Sequence, residues 1–252
     1  TALRTRPVLH RYCVEEVSRT RHNALFRRFI AALTKGGPGG VPRPIEVHAT
    51  DPRRYAGDML GWLHQAAAGE KELVTALLAT EDKGDDGNEG EKKEPKEEEP
   101  KGVDEGEDAN PEDVLDRILD GVCRPFKVRL EQALNASPSE LVAYQLATLL
   151  DFYKETLGAI VGKDASLVAT VEECRASAAQ TFEDQISRRA AKLREKPTRP
   201  PDTLAPPEFV AEAIQLMREL LAARADMVSG DSNSADDAVT AVLEPCIEAC
   251  ER

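Results

Sequence analysis

The chain has 252 residues, and its 46 acidic side chains outnumber its 33 basic ones, so its formal net charge is −13. This acidity argues against a general nucleic-acid binder, which would need a basic surface. Hydrophobic residues make up 41% of the chain, aromatic residues 4% and charged residues 31%, which is typical of helical rods and bundles rather than of aromatic-cored enzymes or β-sandwiches. No apolar run approaches the roughly 18 residues that a membrane-spanning helix requires.

The five cysteines are scattered along the chain without a Cys-x-x-Cys motif. Their odd number and wide spacing favour free, mostly buried thiols in a reducing compartment. The sequence begins at Thr1 rather than Met, and its helical pattern still continues at Cys250. We therefore expect a fragment from the middle of a longer chain.

The first predicted helix covers residues 7–34, because a proline stands near its start and apolar side chains recur at helical spacing. The stripe that we expect to face the core consists of Leu9, Cys13, Val17, Leu25, Phe29 and Leu33. The outward face is basic and carries Arg11, Arg19, Arg21, Arg27 and Arg28.

A glycine- and proline-rich segment over 36–50 is expected to end this helix and reverse the chain. The second helix then begins at Asp51-Pro52, an N-cap followed by proline at the first helical position, and continues to about residue 79. We therefore expect a helical hairpin over 1–80. The residues with a predicted structural role in it are Gly36, Gly37, Pro38, Gly39, Gly40, Pro42, Pro44, Asp51, Tyr55 and Trp62.

Residues 81–109 consist almost entirely of Glu, Asp, Lys, Gly and Pro, with Val103 as the single aliphatic residue. Such a segment cannot bury enough apolar surface to offset its chain entropy. We predict a disordered acidic insert.

Long helices of a bundle are predicted over 110–196. Asn110-Pro111 repeats the start signal, Pro125 is expected to kink or split the first of these helices, and Ser137–Glu140 has the pattern of a capping box. Gly162 is expected to end one helix and Asp164 to cap the next. A proline-rich connector over 197–207 and truncated C-terminal helices over 208–252 complete the chain.

These patterns predict an all-α fold, because no segment shows the strict alternation of a half-buried strand. We expect an elongated antiparallel bundle or rod of about six or seven helices, with the acidic insert as a disordered loop.

Motifs for catalysis, metals or cofactors do not emerge from the sequence. The glycine-rich segment lacks the Lys-Ser/Thr pair of a phosphate-binding loop, and its prolines remove amide donors. The four histidines have no i, i+4 pair or HExxH pattern, and Cys246 and Cys250 alone make a weak metal site. We therefore expect no enzyme activity, no cofactor and no metal.

One region carries a family resemblance. The segment 34–48, from Thr-Lys-Gly-Gly-Pro-Gly-Gly to Glu-Val-His, and its continuation over 51–66 strongly resemble the sixth subunit of the conserved oligomeric Golgi complex. The runs 6–33 and 121–129 fit the same family, and 149–162 is similar to it more weakly. The resemblance covers most of the chain outside 81–109; it is specific over 6–66 and thin after about residue 165.

This resemblance implies a role in vesicle tethering. The family belongs to an eight-subunit cytosolic complex that captures retrograde vesicles at the Golgi and works with SNAREs, Rab GTPases and golgins. Its subunits look like helical-rod tethering proteins, to which no catalytic residues are attributed. The resemblance thus implies a peripheral protein on the cytosolic face of the Golgi, whose partners include the other subunits of the complex.

Two interpretations of the 36–50 segment stay open. It serves folding alone, or it also presents side chains to a partner subunit or SNARE. The candidate interaction residues are Arg43, Glu46, His48, Arg53, Arg27 and Arg28. An alternative function is that of a membrane-surface adaptor, in which the basic first helix binds anionic lipid.

Overall fold

The computed structural model describes residues 6–78, 110–136, 138–195, 207–225 and 232–251, which form seven α-helices, two short 3₁₀ turns and no β-strand. The predicted all-α fold is confirmed. The acidic insert over 81–109 and all but the last residue of the proline-rich connector lie outside the described residues. The helices are α1 (Pro7–Thr34), α2 (Pro52–Leu78), α3 (Pro111–Asn135), α4 (Glu140–Val161), α5 (Ser166–Glu195), α6 (Glu208–Ala225) and α7 (Ser232–Cys250).

Two apolar cores follow one another along the molecule. The first is built by α1, α2, α3 and parts of α4 and α5, with Phe29, Met59, Ile118, Phe126 and Leu150 fully buried. The second joins the start of α4 and the end of α5 to α6 and α7, around Tyr144, Phe182, Leu216, Leu220 and Val242. Since α4 and α5 pack closely together and contribute to both cores, they connect the two ends of a helical rod.

The first two helices run antiparallel. Phe29 of α1 packs on Trp62 of α2 with ring centroids 5.0 Å apart, and Arg21, two turns earlier in α1, bonds to Glu70, two turns later in α2. The backbone of α1 nevertheless lies closer to α3 than to α2. The absence of a side chain at Gly121 of α3 explains part of that approach. The His22 ring of α1 lies against this glycine, and a Cβ there would come within 2.8 Å of the ring.

The predicted core stripe of α1 is correct only in its second half. Leu25, Phe29 and Leu33 are buried, whereas Leu9 is 45% and Val17 is 38% exposed. A four-residue repeat advances by about 40° per step around a helix of 3.6 residues per turn. Over the length of α1 the stripe therefore winds away from the core.

Two further expectations about the helices are corrected, and one is confirmed. Pro125 does not split α3, which is continuous through it, since Val122 and Phe126 on both sides are buried in the first core. The capping box over Ser137–Glu140 predicts Ser137 as the N-cap of α4, but the N-cap is Ser139, whose Oγ accepts from the amide of Val142 at 3.4 Å, and the helix begins at Glu140. Gly162 ends α4 as expected, with φ +96°.

The start of α5 is capped from another helix. Asp164 was expected to cap it, but the helix begins at Ser166, whose amide donates to Asp116 Oδ1 at 2.7 Å and whose hydroxyl donates to Asp116 Oδ2 at 3.0 Å. Asp116 belongs to α3, 50 residues earlier. A carboxylate at a helix N-terminus satisfies an unpaired amide and complements the helix dipole.

Candidate docking surface

The reversal after α1 is a closed loop that requires glycine. The amide of Gly36 donates to Ala31 O at 2.9 Å, and the amide of Gly37 donates to Pro42 O at 2.8 Å. A Cβ at Gly36 would lie 2.4 Å from Pro42 O, and one at Gly37 would lie 2.1 Å from Val41 O. No side chain fits at either position without moving the backbone.

The tip of this loop is shaped by backbone angles. Pro38–Gly40 forms a 3₁₀ turn, in which Gly39 and Gly40 have φ of +70° and +81°. The bond between Val41 and Pro42 is cis. L-residues rarely adopt such φ values, so glycine is the residue that fits the tip.

A second turn returns the chain to the core. Pro44 precedes the 3₁₀ turn Ile45–His48, whose Ile45 side chain is buried. Asp51 follows; its Oδ1 accepts from the amide of Arg54 at 3.1 Å, and its carbonyl accepts from the amide of Tyr55 at 2.9 Å. Both ends of the irregular segment are thus held by helices.

An ion pair fixes the middle of the segment. Glu46 Oε1 accepts from Arg129 Nε at 3.1 Å and from Arg129 Nη2 at 3.0 Å, across 83 residues of sequence. Arg129 belongs to α3, and it also lies beside Tyr55, whose pKa is raised by burial against the opposing effect of this arginine. Sequence reasoning did not single out Arg129, because no local pattern places it opposite Glu46.

A cleft of about 560 Å³ opens beside this ion pair. The segment before α2, the end of α3 and the start of α4 enclose it. We call it the docking cleft, and its lining residues are Ala49, Thr50, Pro52, Tyr55, Arg129, Gln132, Ala133, Ala136, Pro138 and Val142. This volume is in the range of sites that take small molecules or peptide side chains.

The candidate interaction residues occupy different environments. Arg43 and Arg53 are exposed, His48 is half-buried, and Glu46 is engaged by Arg129. Arg27 is exposed on α1, whereas Arg28 has its Nη1 3.6 Å from Glu70 Oε1 in α2. Neither Arg27 nor Arg28 lines the docking cleft.

Tyr55 and Trp62, the two aromatic residues with a predicted structural role, differ in burial. Tyr55 is buried with 5% of its surface exposed, while Trp62 is half-buried and packs on Phe29 at the edge of the first core. The ring of Tyr55 lies in the wall of the docking cleft, so this tyrosine belongs to both the core and the surface site.

The thiols are free, and three of the five are buried, as the cysteine pattern predicted. Burial raises the pKa of Cys123 to about 11 and that of Cys174 to about 12. At neutral pH both therefore stay protonated and poorly nucleophilic. The described residues contain no group of three or more His, Cys, Asp or Glu side chains positioned for a metal ion.

Within the described ranges, no helix has the length and apolarity to cross a membrane.

Known proteins match this chain along its whole length. The family described as "Conserved Oligomeric Golgi complex subunit 6, C-terminal" matches residues 1–252. The protein named "Conserved oligomeric Golgi complex subunit 6" is 46% identical in Arabidopsis thaliana over 258 residues, which cover 99% of this chain and 36% of the relative. The protein of that name in Homo sapiens is 40% identical over 253 residues, with 99% and 35% covered. In Drosophila melanogaster the identity is 33% over 257 residues, with 99% and 37% covered.

The chain spans about a third of the length of these curated relatives. No solved structure gives a significant match. Since the family match extends over all 252 residues, the chain belongs to the family of conserved oligomeric Golgi complex subunit 6.

Proposed function

We propose that this protein acts by binding rather than by catalysis, as an interaction subunit of the conserved oligomeric Golgi complex. Its role is intra-Golgi retrograde vesicle tethering and transport, as a peripheral protein on the cytosolic face of the Golgi. Membership of the subunit 6 family over the whole chain carries this proposal. A rod of long helices with a fixed irregular segment at its surface suits such a role, because it presents side chains without moving them.

The partners are the other subunits of the complex, together with Golgi SNAREs, Rab GTPases and golgins. We assign the contact to the 36–50 segment and the start of α2. Arg43 and Arg53 are exposed there and are the cations to which we assign the partner contact, and the half-buried His48 lies between them in sequence. Glu46 has a different task, because its pairing with Arg129 holds the segment on α3.

Affinity capture tests this proposal. The tagged chain is incubated with a Golgi-containing cell extract, and captured complex subunits, SNAREs, Rab GTPases and golgins are quantified. Charge reversal at Arg43→Glu and Arg53→Glu together is expected to reduce capture at least about tenfold, since each lost charge-assisted contact weakens binding by that order. The matched control is the exposed Arg218→Glu in α6. If the wild type, the double variant and the Arg218→Glu control are captured equally and all keep their helicity, the 36–50 segment is not part of the interface.

A second candidate function is the membrane-surface adaptor. The beginning of α1 favours it, because Val8 is 80%, Tyr12 65% and Leu9 45% exposed next to Arg11. Apolar and basic side chains together are what an anionic lipid surface binds. Flotation with phosphatidylserine vesicles separates the two functions: flotation that is lost on reversing Arg27 and Arg28 supports the adaptor, and no flotation excludes it.

A further inference from the structure

We draw no further inference here: the strongest candidate, the apolar outer face of α6 on which Ile214 is 41% and Leu221 48% exposed, carries nothing because no contact in the described part of the chain shows what covers it.

Discussion

At the scale of single residues, the 36–50 segment is held by close contacts rather than left as a free loop. Gly36 and Gly37 touch the backbone of residues 41–42, and Glu46 is fixed by Arg129. Sequence reasoning could assign the glycines to a reversal, because glycine and proline act locally. It could not find Arg129, because that contact depends on how α3 packs against the segment.

Gly36→Ala is expected to destabilise the protein by about 2 kcal/mol or more, because Gly36 has φ +73° and a Cβ would overlap Pro42 O. Urea unfolding measures this difference. The control is Gly69→Ala on the exposed side of α2, where a Cβ meets nothing within 4 Å. That change should be neutral or stabilise by up to about 1 kcal/mol through helix propensity. Similar losses for both variants would contradict the close packing of the loop.

Glu70 in α2 is a buried carboxylate with 2% of its surface exposed, and Arg21 Nε donates to its Oε2 at 2.9 Å. Arg21→Met leaves this charge without its main partner, so we expect a loss of about 3 kcal/mol in unfolding free energy. Arg19→Met removes a comparable pair with Glu16 that lies in solvent on the same helix. It should cost little, because exposed pairs are screened. Equal losses by denaturant titration would show that burial of Glu70 does not matter.

At the scale of helices, the sequence predicted starts and ends well where the capping group is local. Asn110 accepts from the amide of Glu112 at 3.1 Å at the start of α3, as its Asn-Pro pair indicates. The start of α5 could not be predicted, because Asp116 reaches it from α3. The exposed half of the α1 stripe was misjudged for the same reason, since only tertiary packing decides which part of a winding stripe is covered.

The stability that Glu172 of α5 contributes should depend on pH. Hydrogen bonds from Arg175 lower the pKa of Glu172 to about 2, and Lys154 of α4, 3.2 Å away, adds to this effect. A carboxyl group whose pKa is lowered in the folded state stabilises the fold at pH values above its pKa in the unfolded chain, which is near 4.5. This contribution is lost as the pH falls towards 2.

The unfolding free energies of the wild type and Glu172→Gln should therefore differ most above about pH 5 and converge near about pH 2. Urea titrations across this range measure the difference. Glu183→Gln, on the exposed side of α5, serves as the control. A difference for Glu172→Gln that stays constant with pH would exclude the carboxylate charge as its cause.

At the scale of the whole molecule, the two cores carry different surfaces. The first core lies beside the docking cleft, where Arg129 is paired with Glu46. The second lies beside a cavity of about 570 Å³ whose charged lining residues are Glu140, Arg189, Glu208, Glu212 and Glu219. The net charge of −13 therefore describes neither end.

Periodicity predicted the all-α class, because it reports which faces of the helices are apolar. It could not predict that α1 lies closest to α3, because pairing is decided by complementary packing across distant parts of the chain.

The most direct measurement is hydrogen exchange of the full chain with the oligomeric Golgi complex purified from cells depleted of subunit 6. Amides that a partner covers open less often and exchange more slowly. Our account predicts binding, with slower exchange over 41–55 and over the end of α3 and the start of α4, and unchanged exchange in α6. Absence of binding, or protection confined to other helices, would contradict it.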